Sequence, residues 1–174
     1  MTLTSAEMVV LGLLIEQPRH GYALDRTIAE RGIRRWADLA FSSIYYLLAK
    51  LEGRGLIRAG ATNGPKSRRV YLATDEGKAV AVAAVTDVLR DATPTFSPFV
   101  VGLANVNLVA PEQFQACLRE RSRALTEQIT ALETAREAQG QLPQAARLVF
   151  SHSLATLVAE HDWLITIELG DMSS

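Results

Sequence analysis

The fold is decided by residues 43–57, SIYYLLAKLEGRGLI. The apolar side chains of this segment recur at the i, i+3, i+4, i+7 spacing of one buried helical stripe: Ile44, Leu47, Leu48 and Leu51. Ser42 or Ser43 is predicted as the N-cap, because a serine hydroxyl can accept a hydrogen bond from a first-turn N–H. Gly53 and Gly55 are predicted to close the helix.

The side of this helix opposite the stripe carries polar and aromatic groups. Ser43, Tyr46 and Lys50 share this side, with Tyr45 at its margin and Arg54 beyond the helix end. Hydroxyl groups at the N-terminal end of a helix can reach base edges and phosphates, and the helix N-terminus itself attracts phosphate. The pattern predicts a DNA recognition helix. Its candidate DNA contacts are Ser42, Ser43, Tyr45, Tyr46, Lys50 and Arg54.

Two further helices are predicted on the N-terminal side. Thr4 and Glu7 have the spacing of a capping box, and the apolar run 8–15 that follows indicates a buried helix that Pro18 ends. A second helix is predicted from near His20 to 31–32, where a glycine provides a stop signal.

A β-hairpin is predicted on the C-terminal side. Residues 56–59 and 69–72 are strand-like, and the turn-rich segment between them is basic. We expect three basic side chains of this wing to reach the neighbouring groove or backbone: Lys66, Arg68 and Arg69. Thr74 is predicted to cap a fourth helix over 75–91. Three helices followed by a basic hairpin give the order of a winged helix-turn-helix.

The remainder of the chain is predicted to be helical. Pro94 and Pro98 interrupt the chain, so the domains are placed at 1–92 and 93–174. Residues 99–104 are interpreted as a helix, and Pro111 suits the first turn of the next one. That helix carries an apolar seam at near-heptad steps: Phe114, Leu118, Leu125, Ile129 and Leu132.

This seam could pack within its own subunit or against a second copy. A small helical arm has little core of its own, which favours burial against a second copy. The residues predicted for a homodimer interface come from the seam and from the last helix: Phe114, Leu118, Leu125, Leu157 and Leu164.

The composition and the distribution of charge along the chain limit the classes of function. The chain has 174 residues, 48% hydrophobic and 21% charged, which is typical of a globular protein and excludes a disordered chain. Residues 1–78 hold 12 Lys and Arg against 8 Asp and Glu, a net of +4, whereas 79–174 hold 6 against 11, a net of −5. This asymmetry favours a first half that faces nucleic acid.

Several classes are excluded by what the sequence lacks. It has no Gly-x-Ser-x-Gly elbow, no phosphate-binding glycine loop and no His/Glu metal pair, so we expect no enzyme, no cofactor and no metal. A lone cysteine, Cys117, excludes an internal disulfide and is expected to be buried or half-buried. Apolar runs below about 18 residues and the absence of signal-peptide features predict a cytoplasmic protein without a membrane segment.

The chain resembles the PadR family of bacterial transcriptional regulators, in its long subfamily with a helical C-terminal domain. The resemblance rests on several motifs in the family's order: LGLL at 11–14, HGYAL at 20–24, SIYYLLAKLEGRGLI at 43–57 and RVYLATDEG at 69–77. It extends to EHDWL at 160–164. Where many members have a proline after the tyrosine of the third helix, this chain has Tyr46.

The resemblance implies a homodimeric repressor that binds an inverted repeat in double-stranded DNA and is released by a small effector, often an aromatic acid or a hydrophobic drug. It adds Tyr22 to the DNA-contacting positions. It also supports five residues of the third helix and three of the wing: Ser42, Ser43, Tyr45, Tyr46 and Lys50, and Lys66, Arg68 and Arg69. Candidates for an effector pocket are Trp163, Phe96, Phe99 and Trp36. The alternative is a winged-helix protein–protein interaction module without specific DNA binding.

Overall fold

The computed structural model describes residues 2–37, 39–60, 69–94, 97–138, 140 and 142–170, apart from the side chains of 35, 41, 42 and 168–170. The chain divides into two compact units, Met1–Pro94 and Thr95–Ser174. The first unit contains α1 (Ser5–Glu16), β1 (Arg19–His20), α2 (Gly21–Glu30), α3 (Phe41–Gly53), β2 (Ile57–Ala59), β3 (Val70–Ala73) and α4 (Asp75–Arg90). The second contains α5 (Pro98–Ala104), α6 (Pro111–Glu137) and α7 (Gln144–Gly170).

The prediction of a mainly helical fold with a small β-hairpin is confirmed. β2 and β3 pair in antiparallel fashion, with Arg58 opposite Leu72. The sequence did not indicate β1, which pairs with the other edge of β3 and gives the sheet order β1-β3-β2. Two residues are too short for a strand pattern, and their partner lies about fifty positions away in the chain.

The core of the first unit lies between the first three helices and the sheet. The predicted stripe of α3 is buried, and it packs against buried side chains of α1 and α2 such as Leu11, Leu24 and Ile28. Both predicted caps flanking this core are present. Thr4 Oγ1 accepts from the N–H of Glu7 in α1, and Thr74 Oγ1 accepts from the N–H of Gly77 in α4.

The predicted N-cap of α3 is wrong. The helix begins at Phe41, so both serines lie inside its first turn, and Ala40 occupies the cap position in an extended conformation without a side-chain cap bond. The N–H of Ser43 donates to the carbonyl of Ala40 at 3.1 Å. A serine is a good cap only where the chain enters the helix, and here helical backbone begins earlier. The predicted glycine stop is confirmed, since α3 ends at Gly53 and Gly55 has φ of +73°.

The second unit is a hairpin of two long helices with α5 against it. Leu118 and Leu125 of α6 and Leu164 of α7 form its buried core, and Phe114 and Leu157 are partly buried against them. Three of the residues predicted for the dimer interface, Leu118, Leu125 and Leu164, are thus buried within their own chain, and the interface itself stays a prediction. Near-heptad spacing shows that a face is buried but does not identify its partner, and a helix tethered by a short loop is the nearer one.

The prediction that Cys117 is buried or half-buried is wrong, because this residue is exposed on α6. It precedes the buried Leu118 by one residue, and a step of about 100° around the helix turns it away from the seam.

Candidate nucleic-acid interface

The outer face of α3 presents two large aromatic side chains. Tyr45 is 54% exposed and Tyr46 66%, although the neighbouring Ile44 and Leu47 are buried. The helix has a single apolar stripe, so every side chain off that stripe projects from the core. Ser43 is half-buried in the first turn of the same helix. The side chain of Ser42 lies outside the described part of the chain.

The start of α2 contributes a second aromatic group. His20 is the N-cap of α2, and its Nδ1 accepts a hydrogen bond from the N–H of Ala23 at 3.0 Å. Pairing of β1 with β3 places His20 opposite Val70. The His20 ring stacks on the ring of Tyr22, with centroids 6.3 Å apart, and Tyr22 is exposed. The sheet therefore positions the cap residue His20, and the ring of His20 packs against the ring of Tyr22.

Gly21 brings the two helices into close approach. A Cβ atom at Gly21 would lie 2.8 Å from Cε1 and 3.2 Å from Cζ of Tyr45, and 3.4 Å from Cδ1 of Leu48. The ring of Tyr45 therefore lies against the backbone at the start of α2. Tyr22 follows Gly21 directly in sequence, so the structure brings the predicted positions Tyr22 and Tyr45 to the same turn of α2.

Two of the predicted cations are held by a buried carboxylate of α1. Glu7 is 1% exposed; its Oε1 lies 3.0 Å from Lys50 Nζ and 3.0 Å from Arg54 Nη1, and its Oε2 accepts from the N–H of Thr4 at 2.7 Å. Burial acts to raise the pKa of Glu7, but the Thr4 hydrogen bond and the two cations outweigh it, so the pKa is lowered. The carboxylate stays charged and fastens α1 to the end of α3.

This arrangement separates the two cations. The side chain of Arg54 is 16% exposed and also reaches the carbonyl of Thr2, so it belongs to the interior of the unit. Lys50 keeps 40% of its side-chain surface and remains on the outer side of α3. The sequence showed Glu7 as a capping residue, but a partner 47 positions away leaves no local signal.

The base of the wing is joined to α3 by Arg69. Its Nη2 lies 2.7 Å from Glu52 Oε1, and its guanidinium lies 5.4 Å from the ring centroid of Tyr71. More than half of the Arg69 side chain stays exposed. The predicted wing residues Lys66 and Arg68 lie outside the described residues.

The second unit contains a separate aromatic cluster. Phe99 of α5 and Trp163 of α7 pack edge to face with centroids 6.0 Å apart, and the guanidinium of Arg121 lies 3.7 Å from the Phe99 centroid. Arg121 also pairs with Glu160. Phe96, another predicted pocket residue, lies outside the described residues, and the fourth, Trp36, is exposed in the first unit. Within the described part of the chain, no group of three or more His, Cys, Asp or Glu could hold a metal, and no helix could cross a membrane.

One known family matches part of the chain. A family model described as the transcriptional regulator PadR-like family matches residues 10–83, which include α2, α3, the sheet and most of α4. Residues 10–83 of the chain are therefore PadR-like. This match agrees with the sequence prediction of a transcriptional regulator. Among curated proteins, no sequence matches the chain.

Solved structures of PadR-like proteins share the fold. Bacillus subtilis PadR in complex with operator DNA is 20% identical, with a TM-score of 0.72 over 92% of this chain and 95% of that one. The same protein in complex with p-coumaric acid is 19% identical, with a TM-score of 0.74 over 92% and 95%. The PadR-like regulator BC1756 from Bacillus cereus is 19% identical, with a TM-score of 0.67 over 93% and 94%.

Proposed function

We propose that this PadR-like regulator is a homodimeric repressor that binds an inverted-repeat operator through α3 and the wing and is released by a small aromatic or phenolic effector. The observation that carries the proposal is the exposed tyrosine face of α3, placed beside the capped start of α2. Exposed aromatic side chains gathered on one helix face mark a candidate interaction surface. B. subtilis PadR, which shares this fold, is known in complex with operator DNA.

The proposed contacts divide by chemistry. Ser42, Ser43, Tyr45 and Tyr46 supply hydroxyl groups at the start of α3, where they can reach base edges. No side chain caps the N-terminus of α3, so this helix end offers a site for a phosphate, and Tyr22 extends this surface from α2. Lys50, Arg69 and the wing residues Lys66 and Arg68 supply positive charge for the backbone. Arg54 is left out of the contacts because Glu7 holds it inside the unit.

Dimerisation is supported by apolar surface that the second unit leaves uncovered. Val100 and Val101 of α5 and Leu148 of α7 are each exposed by 60% or more. Three buried leucines make a small core for two helices of this length, and burial against a second copy would enlarge it. A twofold dimer presents two recognition helices about 34–36 Å apart, which matches half-sites one helical turn apart.

The effector part of the proposal rests on chemical likeness. B. subtilis PadR is known in complex with p-coumaric acid, a phenolic carboxylic acid. In this chain, Phe99, Trp163 and Arg121 place two aromatic rings and one guanidinium together. An effector releases the repressor only if it binds the DNA-free geometry of the dimer more tightly than the DNA-bound geometry.

The test is fluorescence anisotropy on labelled DNA from upstream of the coding region, against a scrambled duplex, at about 50 and 200 mM salt. We expect specific binding by a dimer, with the dimer confirmed by light scattering. Tyr46→Ala should weaken specific binding by about tenfold, and Arg69→Ala should reduce the salt slope by about one. Lys78→Ala, which removes an exposed cation from α4, is the control for net charge. Equal weak binding to both duplexes by the wild type would favour the protein-interaction alternative.

A further inference from the structure

We propose that Gly21 is a positioning residue for DNA recognition: it is a glycine so that the ring of Tyr45 can lie against the start of α2. This inference rests on the proposed function, since it concerns the same surface. It is carried by the short distance, 2.8 Å, that would separate a Cβ atom at Gly21 from Cε1 of Tyr45. Its backbone does not require a glycine, because φ lies outside the left-handed region. The requirement is one of space.

The atoms around Gly21 differ in their freedom to move. Leu48 is buried in the core and lies at an ordinary contact distance from the virtual Cβ. Tyr45 lies closer, its ring is the far end of a rotatable side chain, and more than half of it faces solvent. An added methyl group at position 21 would therefore displace the Tyr45 ring toward solvent and leave the core unchanged.

The consequences for stability and for recognition then have opposite signs. Gly21 is the first residue of α2, and alanine there leaves the unfolded chain fewer conformations than glycine does, so Gly21→Ala should keep or raise the thermal stability when only the exposed ring moves. The same substitution should weaken specific DNA binding, because the Tyr45 hydroxyl would leave the position set by α2. A residue needed only for packing would lower stability and DNA binding together.

Gly12 offers a matched control. It is a helical glycine of the same unit, in α1, and a Cβ atom there would meet nothing within 4 Å. Gly12→Ala therefore adds the same methyl group to the same unit without displacing a neighbour. It should leave DNA binding unchanged.

The experiment is a double-mutant cycle on a labelled duplex that the full-length wild-type protein enriches from a random-sequence pool. We expect Gly21→Ala and Tyr45→Ala each to weaken binding by about three- to tenfold. The double variant should bind no more than about twofold more weakly than Tyr45→Ala, because the methyl group has no ring left to displace.

A second readout needs no DNA. In protein labelled with 3-fluorotyrosine, the ¹⁹F resonance of Tyr45, assigned with Tyr45→Phe, should shift in Gly21→Ala and stay unchanged in Gly12→Ala. The proposal is overturned by additive losses in the cycle, by an unshifted Tyr45 resonance, or by unfolding of Gly21→Ala. If the wild type enriches no duplex, the proposed DNA-binding function itself fails, and that result is distinct from an enriched duplex with an additive cycle.

Discussion

Replacing Glu7 by glutamine removes the charge that fastens α1 to α3. Glu7 is buried and holds Lys50 and Arg54, whose side chains are 40% and 16% exposed. Removing one partner of a buried ion pair costs about 3–5 kcal/mol when the other charge stays desolvated. Lys50 can turn to water and the amide oxygen can still accept from Thr4, so we expect a loss of about 2–3 kcal/mol.

The expected signal is a lower melting temperature with a characteristic pH dependence. For a chain of this size, about 2–3 kcal/mol corresponds to a fall in Tm of about 4–12 °C. The pKa of Glu7 is lowered in the folded state, so its contribution is complete above the ordinary carboxyl pKa and is lost as pH falls through the lowered pKa. The difference between wild type and Glu7→Gln should therefore shrink in acid.

Circular dichroism melts between neutral and acidic pH provide the assay, and Glu30→Gln provides the control. Glu30 pairs with Arg26 at 2.7 Å on the exposed side of α2, where an ion pair contributes about 0–1 kcal/mol. Equal melting temperatures for the two variants, or a Glu7→Gln difference that does not change with pH, would refute the interpretation of Glu7 as a buried anionic link.

Three further substitutions test the packing. Gly77→Ala should lower the free energy of unfolding by about 1–3 kcal/mol or more, because its Cβ atom would lie 2.0 Å from the carbonyl oxygen of Leu56. Gly102→Ala is the control and should leave the free energy of unfolding unchanged, because a Cβ atom there meets nothing within 4 Å. Equal urea midpoints for the two variants would contradict the prediction. Leu118→Ala should lower the free energy of unfolding in urea by about 2–5 kcal/mol while the oligomeric state by light scattering stays the same. A change of oligomeric state would instead support the predicted interface role of Leu118. Val101→Glu should dissociate the proposed dimer and leave the melting of the first unit unchanged, so an unaltered mass would exclude that face.

Elements with local signals could be predicted from the sequence. The stripe of α3, the cap at Thr74 and the strands on either side of the wing each depend on spacing within about ten residues, and the structure has all of them. The α3 cap failed because the serine signal does not tell where helical backbone begins, and here Ala40 precedes both candidates.

Features that depend on distant partners could not be predicted. β1 exists because it pairs with β3, and Glu7 has its second role because α3 returns to α1. The apolar seam of α6 is a further example. The spacing of Leu118 and Leu125 predicts that this face is buried, but it does not show that the face packs against Leu164 of α7. In the candidate site, the spacing predicts the exposed tyrosines of α3, whereas the fit of Tyr45 against Gly21 depends on how α2 and α3 pack together.

The strand order β1-β3-β2 has a consequence for behaviour at high concentration. β3 is the longest strand of the sheet and is paired on both edges, so the outer edges belong to β1 and β2, of two and three residues. Short edge strands are poor templates for intermolecular strand addition. The two-residue β1 therefore shields the wing from edge-to-edge aggregation. Disrupting it with Arg19→Pro would expose β3 and promote strand-mediated self-association.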